Sequence, residues 1–249
     1  MNARFEYLLR LGDDALLLGQ QLGLWTGHGP VLEEDIALTN IGLDQIGQAR
    51  AWLTMAGRAE GTGRDEDALA YHRNPGDFRC AQLVQQPNGH FGDTIARQFL
   101  FDAYAVPLHA ALAKSSDDEI AAIARKSAKE SAYHLRHSRI WMVRLGDGTE
   151  ESHAKVQESL NTLLPYVGDL FVGDEVAETA AREGWGVNPA TLRDAWESEL
   201  ESMLEESGLR RPEPTPEQIG GRRGIHTEKL SYLLAEMQVL PRTYPDAKW

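Results

Sequence analysis

Two long segments with helical periodicity constrain this chain most, because their interior faces are apolar except at a few polar positions. The segments run from Leu32 to Gly61 and from Asp117 to Gly146. The interior stripe of the first segment is interrupted by Gln45 and Gln48, which are three residues apart. The stripe of the second segment contains Ser131 and His134 at the same spacing, together with Ser127 and Ser138. The sequence therefore predicts long helices that bury polar side chains along one face.

Polar pairs at this spacing are typical of di-iron carboxylate helix bundles. Such bundles hold two irons with a Glu from each of two helices and a Glu-x-x-His pair from each of the other two. Here Gln45, Gln48 and Ser131 are neutral, and neutral amides and hydroxyls are poor ligands for a hard iron ion. We therefore expect the frame of a redox enzyme without most of its chemistry, which suggests a catalytically silent partner of an active homologue.

The other two long helices add further polar positions to the predicted interior. The first helix, from about Ala3 to Trp25, carries Gln20, and the third long helix, from about Gly92 to Lys114, carries Asp102 between aromatic residues. A buried carboxylate must be paired or protonated. We expect His134 or a nearby Arg or Lys to compensate Asp102 within a satisfied polar network. The vestigial metal-site positions are thus predicted to be Gln20, Gln45, Gln48, Asp102, Ser131 and His134, with no bound metal and no catalytic residue.

The chain shows helical spacing nearly throughout and no long stretch of strict alternation, so we predict an all-α protein. A long connection separates the second and third long helices, as in ferritin-like four-helix bundles. Shorter helices are predicted beyond Gly148, at about Glu151 to Val172, Asp174 to Glu183, Ala190 to Ser207 and Thr227 to Tyr244. The segment Ser116 to Glu119 matches a capping box for the fourth long helix. We expect one ferritin-like helical domain over residues 1–249, with additional C-terminal helices.

Composition excludes several classes of function. The chain has 249 residues and a net charge of -13, which disfavours non-specific binding to nucleic acid or to anionic membranes and favours a basic partner surface. A single cysteine, Cys80, excludes an internal disulfide framework. The N-terminal segment lacks a signal-peptide pattern, and no stretch reaches the roughly 18 apolar residues of a membrane span. We expect a cytoplasmic protein.

Two loops contain candidate ligand-binding residues. The connection between the second and third long helices combines basic groups, able to meet phosphates, with an aromatic ring, and we predict substrate contact by Asp77, Phe78, Arg79 and Cys80. An inert surface loop is the alternative. The Arg-rich, Gly-rich segment from Gly220 to Thr227 fits a phosphate cradle, but we favour a loop capped by Thr227 and docked on acidic neighbours.

Five segments of the chain resemble the structural subunit, called the C subunit, of phenylacetyl-CoA epoxidases (ring 1,2-phenylacetyl-CoA monooxygenases). They are LRLGDDALLLGQQLGLWTGHGP, ALTNIGLDQIGQAR, QPNGHFGDTIARQFLFDAY, AKESAYHLRHSRIW and GGRRGIHTEKLSYLLAEMQ. The resemblance covers nearly the whole chain in order. It implies a ferritin-like fold paired with a homologous catalytic subunit, in which Glu-x-x-His stands where this chain has Gln45 and Gln48. The fourth-helix Glu-x-x-His falls on Ser131 and His134, so only the imidazole remains.

The resemblance implies a non-catalytic subunit of a multicomponent monooxygenase in phenylacetate catabolism. The assembly would epoxidise the aromatic ring of phenylacetyl-CoA with oxygen, using electrons from NADPH supplied by a separate flavin and iron–sulfur reductase. It implies no cofactor in this chain, a di-iron centre in the catalytic subunit, and a hetero-oligomer with that subunit, the reductase and other epoxidase subunits. The alternative is an independent ferritin-like di-iron oxidase or iron-binding protein, and a third hypothesis is a general helical scaffold.

Overall fold

The computed structural model describes residues 2–245 and residue 247, and in this part of the chain all regular elements are helical. The first five α-helices are α1 (Ala3–Gly23), α2 (Leu32–Glu60), α3 (Glu66–Tyr71), α4 (Phe91–Leu112) and α5 (Asp118–Gly146). They are followed by α6 (Glu150–Leu163), α7 (Glu175–Arg182), α8 (Arg193–Ser207) and α9 (Glu228–Thr243). The all-α prediction is confirmed, and every predicted helix is present in the predicted order.

The ends of the two longest helices follow local backbone chemistry. Helix α2 ends at Gly61, whose φ of 76° lies in the left-handed region that glycine adopts without a steric penalty. Helix α5 begins after Asp117, whose carboxylate accepts hydrogen bonds from the amides of Glu119 and Ile120, both at 3.0 Å. The capping box predicted to start at Ser116 is therefore wrong by one residue, because the carboxylate of Asp117 caps the helix instead.

Two predicted helices are shorter than expected, and in each a 3₁₀ segment that contains proline replaces one end. The helix predicted from Glu151 to Val172 ends as α6 at Leu163, and Leu164–Phe171 continues as a 3₁₀ helix with Pro165 in its first turn. Proline has no amide hydrogen to donate to the preceding turn, which weakens the α-helix at this point. The helix predicted from Ala190 likewise begins with a 3₁₀ turn, Pro189–Leu192, before α8.

The chain forms two compact units. One comprises Met1–Gln86 together with Gly220–Trp249, and the other comprises Pro87–Ile219. Each unit contains one pair of long helices, α1 with α2 in the first and α4 with α5 in the second. The single domain over residues 1–249 stays a prediction. None of the described helices is long and apolar enough to cross a membrane.

In the first unit, small residues let α1 and α2 approach closely near the predicted polar positions. A Cβ atom at Gly19 would lie 2.8 Å from the side chain of Ile46 and 3.0 Å from the carbonyl oxygen of Gly42. A Cβ atom at Gly12 would lie 2.6 Å from Leu53. These contacts run in opposite directions along the two helices, so the pair is antiparallel. Glycine is required at these positions because a side chain would separate the helices.

In the second unit, an aromatic cluster joins the shorter helices to α4. The indole nitrogen of Trp196 donates a hydrogen bond of 2.9 Å to the carbonyl oxygen of Leu100. The ring of Phe171 packs edge-on against Trp196 at 5.4 Å and against Tyr104 at 5.6 Å between centroids. Such edge-to-face pairs contribute beyond their buried area. The cluster therefore anchors α8 and the Leu164–Phe171 segment on the helix that carries Asp102.

Candidate functional site

The first unit holds three of the predicted vestigial metal-site positions, and all three are amides. Gln45 and Gln48 of α2 have exposed fractions of 2% and 4%, which confirms their predicted interior location. Gln20 of α1 is half-buried. The apolar residues on the same face of α2 as these two glutamines are also buried, namely Leu38, Ile41, Trp52 and Met55. This part of the chain provides neutral oxygen and nitrogen atoms at the ligand positions and no carboxylate among them.

The second unit holds Asp102, which is fully buried on α4 between two neutral partners. The side-chain amide of Gln98 donates to Oδ1 of Asp102 at 2.8 Å. The hydroxyl of Ser138 on α5 lies 2.8 Å from Oδ2 and also 3.1 Å from the carbonyl oxygen of His134. Asp102 is thus held by one residue of its own helix and one residue of α5.

Burial raises the pKa of Asp102 to about 8, and the hydrogen bonds with Ser138 and Gln98 lower it by less. The carboxyl group is therefore protonated at neutral pH. The expectation that His134 or a nearby Arg or Lys compensates a charge on Asp102 is wrong, because its hydrogen-bond partners are an amide and a hydroxyl. A protonated carboxyl group needs no counter-ion, and this lowers the cost of burying it.

Two further buried groups complete the interior of α4 and α5. Nδ1 of His109 lies 2.8 Å from the hydroxyl oxygen of Ser131. Burial lowers the pKa of His109 to about 4, with a smaller contribution from the charge of His134, so His109 is neutral at pH 7. His134 is fully buried, as predicted. The pairing of His109 with Ser131 was not predicted, although His109 stands seven residues after Asp102 and therefore lies on the same face of α4.

These side chains do not fit a di-iron centre. Two irons held in such a bundle need about four carboxylates. Among the vestigial positions, the first unit supplies amides only, and the second supplies one protonated carboxyl group, one hydroxyl and the imidazole of His134. Among the described residues, no group of three His, Cys, Asp or Glu side chains could hold a metal ion.

Two substitutions of Asp102 should separate the effect of its ionisable group from the effect of its hydrogen bonds and packing. Asp102→Ala should lower the free energy of unfolding by about 3 kcal/mol, because it leaves the buried side-chain amide of Gln98 without its partner, removes one of the partners of Ser138 and opens a cavity. Asp102→Asn should keep both hydrogen bonds, because an amide resembles a protonated carboxyl group in shape and polarity. Chemical denaturation at neutral pH measures both effects, and Asp147→Ala, at an exposed position, is the matched control.

The pH dependence gives a second measurement on the same variants. The folded pKa of Asp102 is about 8, far above its unfolded value of 3.8. Between these values the folded state keeps a proton that the unfolded state releases, so stability falls as pH rises. This contribution is present below the unfolded pKa and is lost progressively up to the folded pKa. Relative to Asp102→Asn, the wild type should lose about 1 kcal/mol per pH unit between pH 5 and 7. Parallel profiles would contradict the burial of a protonated Asp102.

The predicted substrate-binding loop is built into the interior of the first unit. Phe78 and Cys80 are fully buried, and the guanidinium group of Arg73 lies 4.0 Å above the ring of Phe78. Nε of Arg79 donates to Glu6 at 2.7 Å, and Asp77 caps a short 3₁₀ turn through the amide of Asn74. Neither Phe78 nor Cys80 reaches the surface in this structure, and the substrate contact predicted for Asp77, Phe78, Arg79 and Cys80 stays a prediction.

Two buried ion pairs hold this loop against α1. Nη1 of Arg73 donates to Asp13 at 3.0 Å, and Nη2 of the same residue also donates to Asp13. Arg222 binds Asp14 with both terminal nitrogens, at 3.0 and 2.7 Å. The backbone amide of Ala81 donates to Asp14 at 2.7 Å, so the loop itself takes part. The favoured interpretation of the Gly220–Thr227 segment, a loop docked on acidic neighbours, is confirmed for Arg222.

Comparisons with known proteins show the family to which this chain belongs. A family model described as phenylacetic acid catabolic protein matches residues 1–249. The chain belongs to the phenylacetic acid catabolic protein family. Within this family it is 48% identical over 249 residues to the C subunit of 1,2-phenylacetyl-CoA epoxidase from Escherichia coli (strain K12), with 100% of each chain covered. The resemblance to this epoxidase subunit is therefore confirmed.

A solved structure supports the fold. The chain resembles protein 19 with aldehyde deformylating oxidase activity from Synechococcus, with a TM-score of 0.57 and 15% sequence identity. The match covers 95% of this chain and 99% of that chain. The likeness confirms the predicted ferritin-like bundle of this family member, and α6 to α9 are its additional helices.

Proposed function

We propose that the chain is a non-catalytic structural subunit of a phenylacetyl-CoA epoxidase in aerobic phenylacetate degradation. It would bind the homologous catalytic subunit, whose di-iron centre performs the oxygen-dependent epoxidation of the aromatic ring. A separate reductase with flavin and iron–sulfur groups would supply electrons from NADPH. This chain would contain no cofactor and would act in the cytoplasm.

The observation that carries this proposal is the set of side chains at the ligand positions. Gln45, Gln48 and Ser131 cannot supply the anionic oxygens that a hard iron ion needs. The carboxyl group of Asp102 is protonated and hydrogen-bonded, and Ser131 is paired with His109. Asp102 and Ser131 are thus hydrogen-bonded without iron, whereas Oε1 of the buried Gln45 has no hydrogen-bond partner among the described residues.

An exposed apolar stripe on α2 supports a role in assembly. This helix has a second face, opposite its buried stripe, on which aliphatic residues recur three, four or seven positions apart. The exposed fraction is 71% for Leu32 and 64% for Leu43, and further exposed members are Ile36 and Ile46. Aliphatic residues at this spacing are typical of helix–helix interfaces. We assign this α2 stripe to the contact with the catalytic subunit.

The iron content of the isolated chain tests the proposal against an independent di-iron oxidase. Because three ligand positions carry neutral side chains, we expect well below one iron atom per chain after aerobic or anaerobic iron loading. Elemental analysis and the absorption spectrum measure this, with the catalytic subunit, loaded in the same way in the presence of this chain, as the positive control. Stoichiometric iron with a di-iron spectrum would refute the structural role.

A further inference from the structure

The outer face of α5 is strongly basic in an acidic protein. Six Lys or Arg residues and only one Glu occur between positions 125 and 144, although the whole chain has a net charge of -13. The exposed residues three or four positions apart form one face, which we call the basic face of α5: Arg125, Lys129, Tyr133, Arg136, Ile140 and Arg144. This face lies opposite the buried Ser131 and Ser138 of the same helix.

Most charges on this face have no acidic neighbour. Two other cations of α5 are paired, Lys126 with Glu130 at 3.2 Å and Arg139 with Glu206 at 2.8 Å. Within residues 2–245 and 247, Arg125, Lys129, Arg136 and Arg144 form no ion pair. The guanidinium group of Arg136 instead lies 5.4 Å from the centre of the Tyr133 ring. Like charges on adjacent turns of a helix destabilise it. Intramolecular stability therefore does not explain this arrangement.

The composition of the basic face fits a reversible, charge-driven contact. It extends for about 29 Å along the helix at 1.5 Å per residue. Only Tyr133 and Ile140, with exposed fractions of 45% and 43%, offer apolar contact between the cations. Obligate interfaces are larger and more apolar, whereas transient electron-transfer contacts are small. Charge complementarity mainly accelerates and steers such encounters.

We propose that the basic face of α5 docks an acidic surface of the electron-donating reductase. This inference rests on the proposed function, in which the reductase is the component that must bind and leave repeatedly during turnover. A second copy of this chain is a poorer fit, because both copies carry a net charge of -13. The sequence favoured a basic partner from net charge alone, and the distribution of charge on α5 reverses that expectation for this face.

The test uses the complex of this chain assembled with the catalytic and other epoxidase subunits, with the reductase as the titrated component. In Lys129→Glu/Arg136→Glu, the Kd of the reductase measured by calorimetry should rise on the order of tenfold or more, because two attractive contacts become repulsive. Its salt dependence should weaken. The rate of ring oxidation at saturating reductase should stay unchanged, because the variant affects docking rather than chemistry.

The matched control is Lys114→Glu/Arg182→Glu, which makes the same change in net charge at exposed residues outside α5. Its Kd for the reductase should equal that of the wild type. The proposal is overturned if the α5 variant behaves like this control. It is also overturned if the variant instead loses affinity for the catalytic subunit, loses binding of coenzyme A in equilibrium dialysis, or loses only self-association.

The outcomes separate this inference from the function on which it rests. If the wild-type chain does not bind the catalytic subunit, the proposed function fails. If the complex assembles and oxidises the ring while the α5 variant keeps its affinity for the reductase, only the assignment of the basic face fails. Circular dichroism and copurification of the catalytic subunit verify that the variant is folded and assembled.

Discussion

The catalytic subunit expressed without this chain is expected to be poorly soluble or inactive, and coexpression should restore a stable complex whose ring oxidation depends on both chains. An obligate interface of this kind usually buries more than about 2,000 Å² around an apolar centre. Separating the chains would expose that surface on both of them. The measurement is ring oxidation of phenylacetyl-CoA with the reductase supplied, for the pair and for each chain by itself. A catalytic subunit that is soluble and fully active without its partner would end the proposal.

The α2 stripe allows the same dependence to be tested within the assembled pair. Ile36→Asp/Leu43→Asp places two charges at exposed aliphatic positions of α2, and the pair should no longer copurify, because a buried charge without a partner is costly. Val239→Asp/Leu240→Asp, at exposed aliphatic positions of α9, should copurify normally. Equal recovery of the complex from both double variants would remove the α2 stripe from the interface.

The largest stability change within the chain is expected at the ion pair of Asp14 and Arg222. Both side chains are 5% exposed, and Asp14 accepts both terminal nitrogens of Arg222. Burial raises the pKa of Asp14, and the charge of Arg222 opposes this shift. Arg222→Met should lower the free energy of unfolding by about 3–5 kcal/mol at pH 7, because it leaves an uncompensated buried carboxylate. Chemical denaturation measures the loss.

Two further variants and one change of pH verify the cause of that loss. Arg223→Met, at the exposed neighbouring arginine, should change stability by less than about 0.5 kcal/mol. Adding Asp14→Asn to Arg222→Met should recover part of the loss, because position 14 then carries no uncompensated charge and the oxygen of its side-chain amide still accepts from the backbone amide of Ala81. The loss should also be smaller at pH 5 than at pH 8. Without Arg222 the pKa of the buried Asp14 rises further, so its carboxyl group takes up a proton at low pH and no longer carries a charge. A loss no larger than that of Arg223→Met would refute this account.

Helical periodicity was sufficient to predict the long helices and the interior location of Gln45, Gln48, Asp102 and His134. These predictions needed only the spacing of apolar residues within one segment. The resemblance to the structural subunit of the epoxidases likewise rested on five segments that are visible in the amino-acid sequence itself. The fold and the burial of these four side chains were therefore accessible from the sequence, whereas the vestigial character of the ligand positions stays a prediction.

The partners of the buried polar groups could not be predicted in the same way. Asp14 meets Arg222 across 208 residues, and Asp13 meets Arg73 across 60. No local pattern specifies such pairs, and for this reason Phe78 was assigned to a surface that it does not reach. The neutrality of Asp102 was missed as well, because a charged partner was assumed where the helices supply an amide and a hydroxyl.

The ion pair between Asp14 and Arg222 also determines when the first unit can be completed during synthesis. The ribosome adds about 5–20 residues per second, so Asp14 waits roughly 10–40 s for its partner to be made. During that time the chain between them, Pro87–Ile219, can fold as the second unit. The N-terminal helices therefore emerge first, but their unit is completed last. Until Arg222 has been made, the carboxylate of Asp14 must be solvated by water or bound by a chaperone.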